Sequence, residues 1–179
     1  MDRNYYHTQE SREVKLSEPI ICSKSNAWLG NGYYFWYYID DAHKWGKTSK
    51  RKTGRYEIYK SKIEVNDKVL DTVFNEDHYN WWVGIIEQYA KKFIKKFNLK
   101  PTIADLNQYI KEKANIYEDI DAVQFQDFST DSTESVIKPI QNLRNNKLQP
   151  FVYRKRIQIA VYNLEIISTF ALDFEGQVD

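Results

Sequence analysis

Residues 28–46 read WLGNGYYFWYYIDDAHKWG. Gly30 and Gly32 flank Asn31, so the backbone there can turn tightly or approach a ligand closely. Tyr33, Tyr34, Phe35 and Trp36 follow without a break, a composition that suits an extended, pleated chain. Asp40 or Asp41 is placed to cap a helical turn that carries Ile39, Ala42 and Trp45 on one side, and Gly46 is placed to end it. The segment therefore predicts a turn, a strand, a loop and a helix. Taken by itself it is a buried strand and helix, and its aromatic density also suits a cleft that grips a flat ligand.

Working outward, residues 4–8 predict a short extended segment that reaches His7 and Thr8, and residues 9–26 a polar loop with one apolar island at 19–22. Behind the central stretch, KTSKRKT at 47–53 gathers four cations. It reads as a solvated loop, or as a contact to phosphate. Residues 55–65 alternate, with Tyr59, Ile63 and Val65 on one side, and predict a strand; 66–67 turn the chain into a second strand at 69–74. The clearest helix spans 76–99. Trp82, Val83, Ile86, Ala90, Phe93 and Phe97 recur at helical spacing, mostly away from the lysines, and predict a stripe that faces a core.

Pro101 and Thr102 open another helix to about residue 115, with Asp105 completing a capping pair and Leu106, Ile110 and Ala114 as its apolar face. Residues 118–148 run acidic, then Ser and Thr rich, then Asn and Lys rich, and predict a long connection. A strand returns at 151–162, with Ile157, Ile159 and Val161 on one face and Gln158, Ala160 and Tyr162 on the other. Residues 164–172 predict the last strand.

The chain has 179 residues, which fits one domain with a proper core. Its 26 Lys and Arg balance 25 Asp and Glu to a net charge of +1, so no global field announces nucleic acid or an anionic membrane. Cys22 is the only cysteine, which excludes an internal disulfide framework and a cysteine-rich zinc site and agrees with a reducing compartment. His7, His43 and His78 lack metal-ligand spacing, and no Walker loop or nucleophile elbow occurs. No apolar run reaches membrane-spanning length and the N-terminal residues lack an apolar leader core, so the expected location is the cytoplasm, without a membrane partner.

Gly30, Gly32, Tyr34 and Phe35 stand in the order of the G-x-G-x-Y-F strand of the ADP-ribosyltransferases of diphtheria-toxin and poly(ADP-ribose) polymerase type, which the central stretch resembles. The resemblance implies an α+β fold with a split β-sheet core, the whole chain 1–179 forming one such domain and 76–150 a largely helical insertion. It implies NAD as substrate. His7 would hold the adenosine ribose, Thr8 would stand where the family has a glycine contacting the nicotinamide amide, and Gly32 would lie among the cofactor-binding positions. Tyr34 and Trp45, eleven residues apart, would sandwich nicotinamide. Gln158 occupies the position of the catalytic glutamate. An amide there can hydrogen-bond the ribose but supplies no negative charge to the transition state. Glu165 falls on the wrong face to replace it unless the strand is bulged, and Glu57 sits on another strand.

The implied activity is transfer of one ADP-ribose to a macromolecular acceptor, protein or nucleic acid, as in toxins of toxin–antitoxin and phage-defence systems, with an antitoxin or other neutralising partner. A second reading is a catalytically degenerate relative that serves as a nucleotide-binding or interaction module. A third is an unrelated α+β domain in which Tyr34 and Trp45 belong to the core with no cleft between them.

Overall fold

The computed structural model describes residues 1–24, 27, 29–49, 52–113, 118–127 and 156–178. These residues form an α+β fold, with β1 (Asp2–Glu10), β2 (Tyr33–Trp36), α1 (Ile39–Ser49), β3 (Arg55–Glu64), β4 (Val69–Asp71), α2 (Glu76–Phe97), α3 (Ile103–Lys113), β5 (Ala122–Asp127), β6 (Arg156–Val161) and β7 (Ile167–Gln177). Where a split sheet was expected, hydrogen bonding joins seven strands in the order β4-β5-β6-β2-β1-β3-β7. Among the described residues only the β4–β5 pair is parallel.

Connectivity forces this sheet to curl. In a flat sheet β4 and β3 would lie about 24 Å apart, at about 4.8 Å per strand. The chain from Glu64 to Val69 reaches at most about 17 Å. The strands therefore wrap around a concave face, where Ile63 of β3 and Val69 of β4 share one core with Tyr5, Phe35, Ala122, Ile159, Val161 and Ile166. The convex face carries the helices. α1 packs on β1 and β3, with Ala42 against Trp36, Tyr56 and Ile58. Further along, Trp82 of α2 packs on a cluster of Leu29, Leu70, Val123, Phe125 and Ala160.

Four expectations are corrected. Gly46 does not end α1: the helix runs through it to Ser49, because a bare Cα is needed where the helix crosses the Tyr56 ring. The 47–53 run accordingly begins as helix rather than loop, and Lys50 and Arg51 lie outside the described residues. The span 118–148 is not only a connection, since it supplies β5, a strand inside the sheet between β4 and β6. Its alternation was hidden by Gln124, a buried polar residue whose amide donates to Asp71 at 2.8 Å and accepts from the Tyr5 hydroxyl. Within 76–150, α2 and α3 are helical and β5 joins the sheet, and 128–150 lies outside the described residues. Finally, the α2 stripe only half faces a core. Tyr89, outside the stripe, is the one buried residue of α2; Trp82, Val83, Ile86, Ala90 and Phe93 are half-buried, and Phe97 is exposed.

The capping pair of α3 forms as the spacing predicts. Thr102 donates to Asp105 from its backbone N–H (2.8 Å) and its hydroxyl (2.7 Å), and the Asp105 N–H donates back to Thr102 Oγ1 (3.1 Å). Thr102→Ala is expected to cost about 1 kcal/mol of stability. Urea unfolding followed by circular dichroism checks this, and an unmoved midpoint would show that the cap contributes nothing.

Candidate functional site

β6, β2 and β1 are neighbours at the centre of the sheet, so Gln158, Tyr34 and His7 stand on three consecutive strands. They do not share a face. Tyr6 pairs with Trp36, and Trp36 pairs with Gln158, which sets one row of side chains on the convex side. Since side chains alternate along a strand, His7 turns to the concave side. Its ring lies 5.2 Å from Phe35 and 6.1 Å from Phe170.

His7 is buried and its hydrogen bonds define its protonation. Nδ1 lies 2.9 Å from the Tyr34 carbonyl oxygen, which can only accept, so Nδ1 carries the proton. Nε2 then accepts from the Ile20 N–H at 3.3 Å and faces the Gln9 amide nitrogen at 3.0 Å. The imidazole is thus a neutral link between β1, β2 and the loop at Ile20. His7→Ala would leave the Ile20 N–H and the Tyr34 carbonyl without these bonds and open a cavity against Phe35. A loss of about 3 kcal/mol is expected. Chemical denaturation tests it, and a change below about 0.5 kcal/mol would refute a structural role for His7.

Tyr34 lies on the convex side, packed with Leu29, Phe125 and Ala160. Its hydroxyl donates to the Gly30 carbonyl at 2.8 Å and accepts the Leu29 N–H at 3.2 Å. Burial raises the pKa of this phenol well above the usual tyrosine range. Gly30 takes φ +74°, the left-handed conformation the turn requires, while Gly32 passes close to the Val161 carbonyl and the Tyr162 ring. The glycine pair therefore folds the chain back onto Tyr34's own hydroxyl. Thr8, also convex, donates to the Ala42 carbonyl at 3.1 Å and ties β1 to α1.

Trp45 of α1 is 38% exposed and lies 6.0 Å from Trp36. Trp36, not Tyr34, is the aromatic partner the structure gives it. Gln158 is half-buried, between Trp36 on β2 and Phe125 on β5. The same patch holds Arg156, whose guanidinium stands 4.9 Å from the Trp36 ring and 2.9 Å from Asp127. Burial pushes the Asp127 carboxyl up, and the Arg156 charge works against that. The sequence reading missed Trp36, Arg156 and Asp127; the cation opening β6 beside an aromatic strand was the available signal. Trp45, Trp36, Arg156 and Gln158 together offer an indole face, a cation largely neutralised by Asp127, and an amide.

The two alternative carboxylates are elsewhere. Glu165 sits in a single 3-10 turn at Leu164–Ile166, and Glu57 is buried on the concave side with four hydrogen-bond donors. His78 accepts the Asp71 N–H at 3.0 Å beside the start of α2, a structural contact, and His43 lies 3.1 Å from the Tyr56 hydroxyl. Among the described residues no cluster of His, Cys, Asp and Glu is arranged to hold a metal ion, and no helix is long and apolar enough to cross a membrane. No protein-family model, curated protein or solved structure matches the chain.

Proposed function

We propose that this chain is a nucleotide-binding or interaction module, built on a sheet whose central strands resemble those of an ADP-ribosyltransferase, and that it does not turn over NAD. The observation that carries this reading is the placement of His7 on the concave face while Tyr34 and Gln158 lie on the convex face. A ribose held by His7 would be separated by the sheet from a nicotinamide held by Tyr34. Gln158 also offers no charge to an oxocarbenium-like transition state. The exposed indole of Trp45, backed by Trp36 and Arg156, is the surface on which a planar ligand would rest.

One observation favours the second reading, mono-ADP-ribosyl transfer to a protein or nucleic-acid acceptor: the three motif strands are adjacent, in the order β6-β2-β1. Nicotinamide release from NAD, measured with cell lysate as acceptor, separates the two. The expected result is no release, with NAD or ADP-ribose quenching tryptophan fluorescence in the wild type and not in Trp45→Ala. Release that disappears in both Tyr34→Ala and Gln158→Ala would overturn the proposal and establish the transferase. Neither release nor quenching would leave the interaction module and remove the nucleotide.

A further inference from the structure

Charge is segregated in this chain. Residues 91–100, KKFIKKFNLK, hold five lysines and no acid, which leaves the remainder of the chain at −4. They form the end of α2 and the turn into α3. Asn98 takes the left-handed conformation (φ 54°) and its N–H donates to the Ile94 carbonyl, closing the helix. Tyr109 of α3 packs against Phe93 and Phe97, at 5.5 and 6.0 Å, so the two helices form a braced hairpin. α2 meets the sheet mainly through β4 and otherwise packs on α3.

The tip of this hairpin exposes Ile94 (43%), Phe97 (43%), Leu99 (65%) and Ile103 (45%). Lysines surround them. Lys92 lies over Tyr89 and Lys96 over Phe97, whereas Lys91, Lys95 and Lys100 point to solvent, and none of the five forms an ion pair among the described residues. The nearest acids in sequence are Glu87, one turn before Lys91, and Asp105, which is engaged by Thr102. A predominantly cationic collar around an apolar tip, five lysines with Asp105 at its edge, calls for a partner that is anionic at its surface and apolar beneath.

We propose that the α2–α3 tip docks the protein on an anionic lipid surface, with Leu99, Ile94, Phe97 and Ile103 at the boundary of the acyl chains and Lys91, Lys95 and Lys100 among the phosphates. Basic amphipathic helices seat themselves in this way, their lysine stems covering apolar surface while the ammonium groups reach the headgroups. Nucleic acid offers the same charge but not the same interior. Three of the four exposed tip residues are aliphatic and Lys96 stands over one face of the fourth, Phe97, so the tip lacks the row of open aromatic faces on which successive bases stack. The surface is distinct from the Trp45 patch, and its docking does not depend on NAD.

Sedimentation of the intact chain with phosphatidylcholine vesicles, with and without about a third phosphatidylserine, tests the proposal. Binding is expected to the anionic vesicles alone and to weaken with salt. Lys91→Ala, Lys95→Ala and Lys100→Ala are each expected to lower the partition coefficient about five-fold, and Leu99→Ser about ten-fold. Circular dichroism of each variant verifies that it is folded. Equal binding to neutral vesicles, anionic binding that Leu99→Ser leaves unchanged, or tighter binding to a single-stranded oligonucleotide than to the vesicles would overturn it.

Discussion

Gly46→Ala is expected to destabilise the protein by about 3 kcal/mol, although alanine is the better helix former. A Cβ at this position would stand 2.3 Å from Cδ2 of Tyr56 and 2.6 Å from Cγ and Cε2, inside the ring's own van der Waals envelope. The ring has no room to retreat. On its other side Gly176 of β7 makes an equally close approach, where a Cβ would lie 2.5 Å from Cζ, and the ring is only 2% exposed. Its hydroxyl is held near His43 Nδ1 at 3.1 Å. Relief would require α1 to lift from β3, which would also loosen Ala42, a fully buried residue of the same cluster. Gly84→Ala is the control. It lies on α2 with nothing within 4 Å of the added atom, so a gain of about 0.5 to 1 kcal/mol is expected there. Urea midpoints of the two variants should move in opposite directions. If Gly46→Ala were also stabilising, the close packing of α1 on Tyr56 would be refuted.

Glu57→Gln carries the second large effect. Glu57 is fully buried at the concave side of β3. Its Oε1 accepts from Ser11 Oγ (3.0 Å), the Arg12 N–H (3.0 Å) and Lys15 Nζ (2.5 Å), and its Oε2 accepts from the Tyr59 hydroxyl (2.5 Å). Lys15 bridges onward to Glu175 of β7. One carboxylate thus holds the loop after β1 against β3 and the edge strand. Burial alone would push this carboxyl up, but the hydrogen bonds from Lys15, Tyr59, Arg12 and Ser11 outweigh it and bring the pKa from 4.5 to about 2. The folded protein therefore binds the proton less readily than the unfolded chain. The stabilisation is complete above about pH 4.5 and fades as the pH falls through about 2.

Glutamine replaces one acceptor oxygen by a donor and removes the charge opposite Lys15. A loss of about 2 kcal/mol near neutral pH is expected, less than for a wholly buried pair because the Lys15 side chain is 39% exposed. Below about pH 2 the difference between wild type and variant should shrink. Denaturation series across pH check both points, and a wild-type advantage that grew on acidification would contradict the assignment.

Local signals made much of this fold legible. The strand at Tyr33–Trp36, the long alternation of β3, the helix from Glu76 and the Thr102–Asp105 cap all follow from propensity, period or a partner three residues away. Each is decided within one turn or one strand. β5 escaped because what makes Gln124 acceptable in a strand core is Tyr5 and Asp71, more than fifty residues distant in the chain. The α2 stripe was seen but its burial was not, since periodicity shows that a helix has an apolar side and not how much of that side finds a partner.

The candidate site divides along the same line. Propensity and alternation alone place the site residues on β1, β2 and β6, and the residue type alone shows that Gln158 brings no charge. That these strands are neighbours, that His7 faces away from Tyr34 and Gln158, and that Trp45 meets Trp36 emerges only once the sheet is assembled. The physical reason is register. A strand's pattern shows two faces, but which of them joins a neighbour's face depends on inter-strand hydrogen bonds between residues far apart in sequence, and a shift of one residue exchanges the faces.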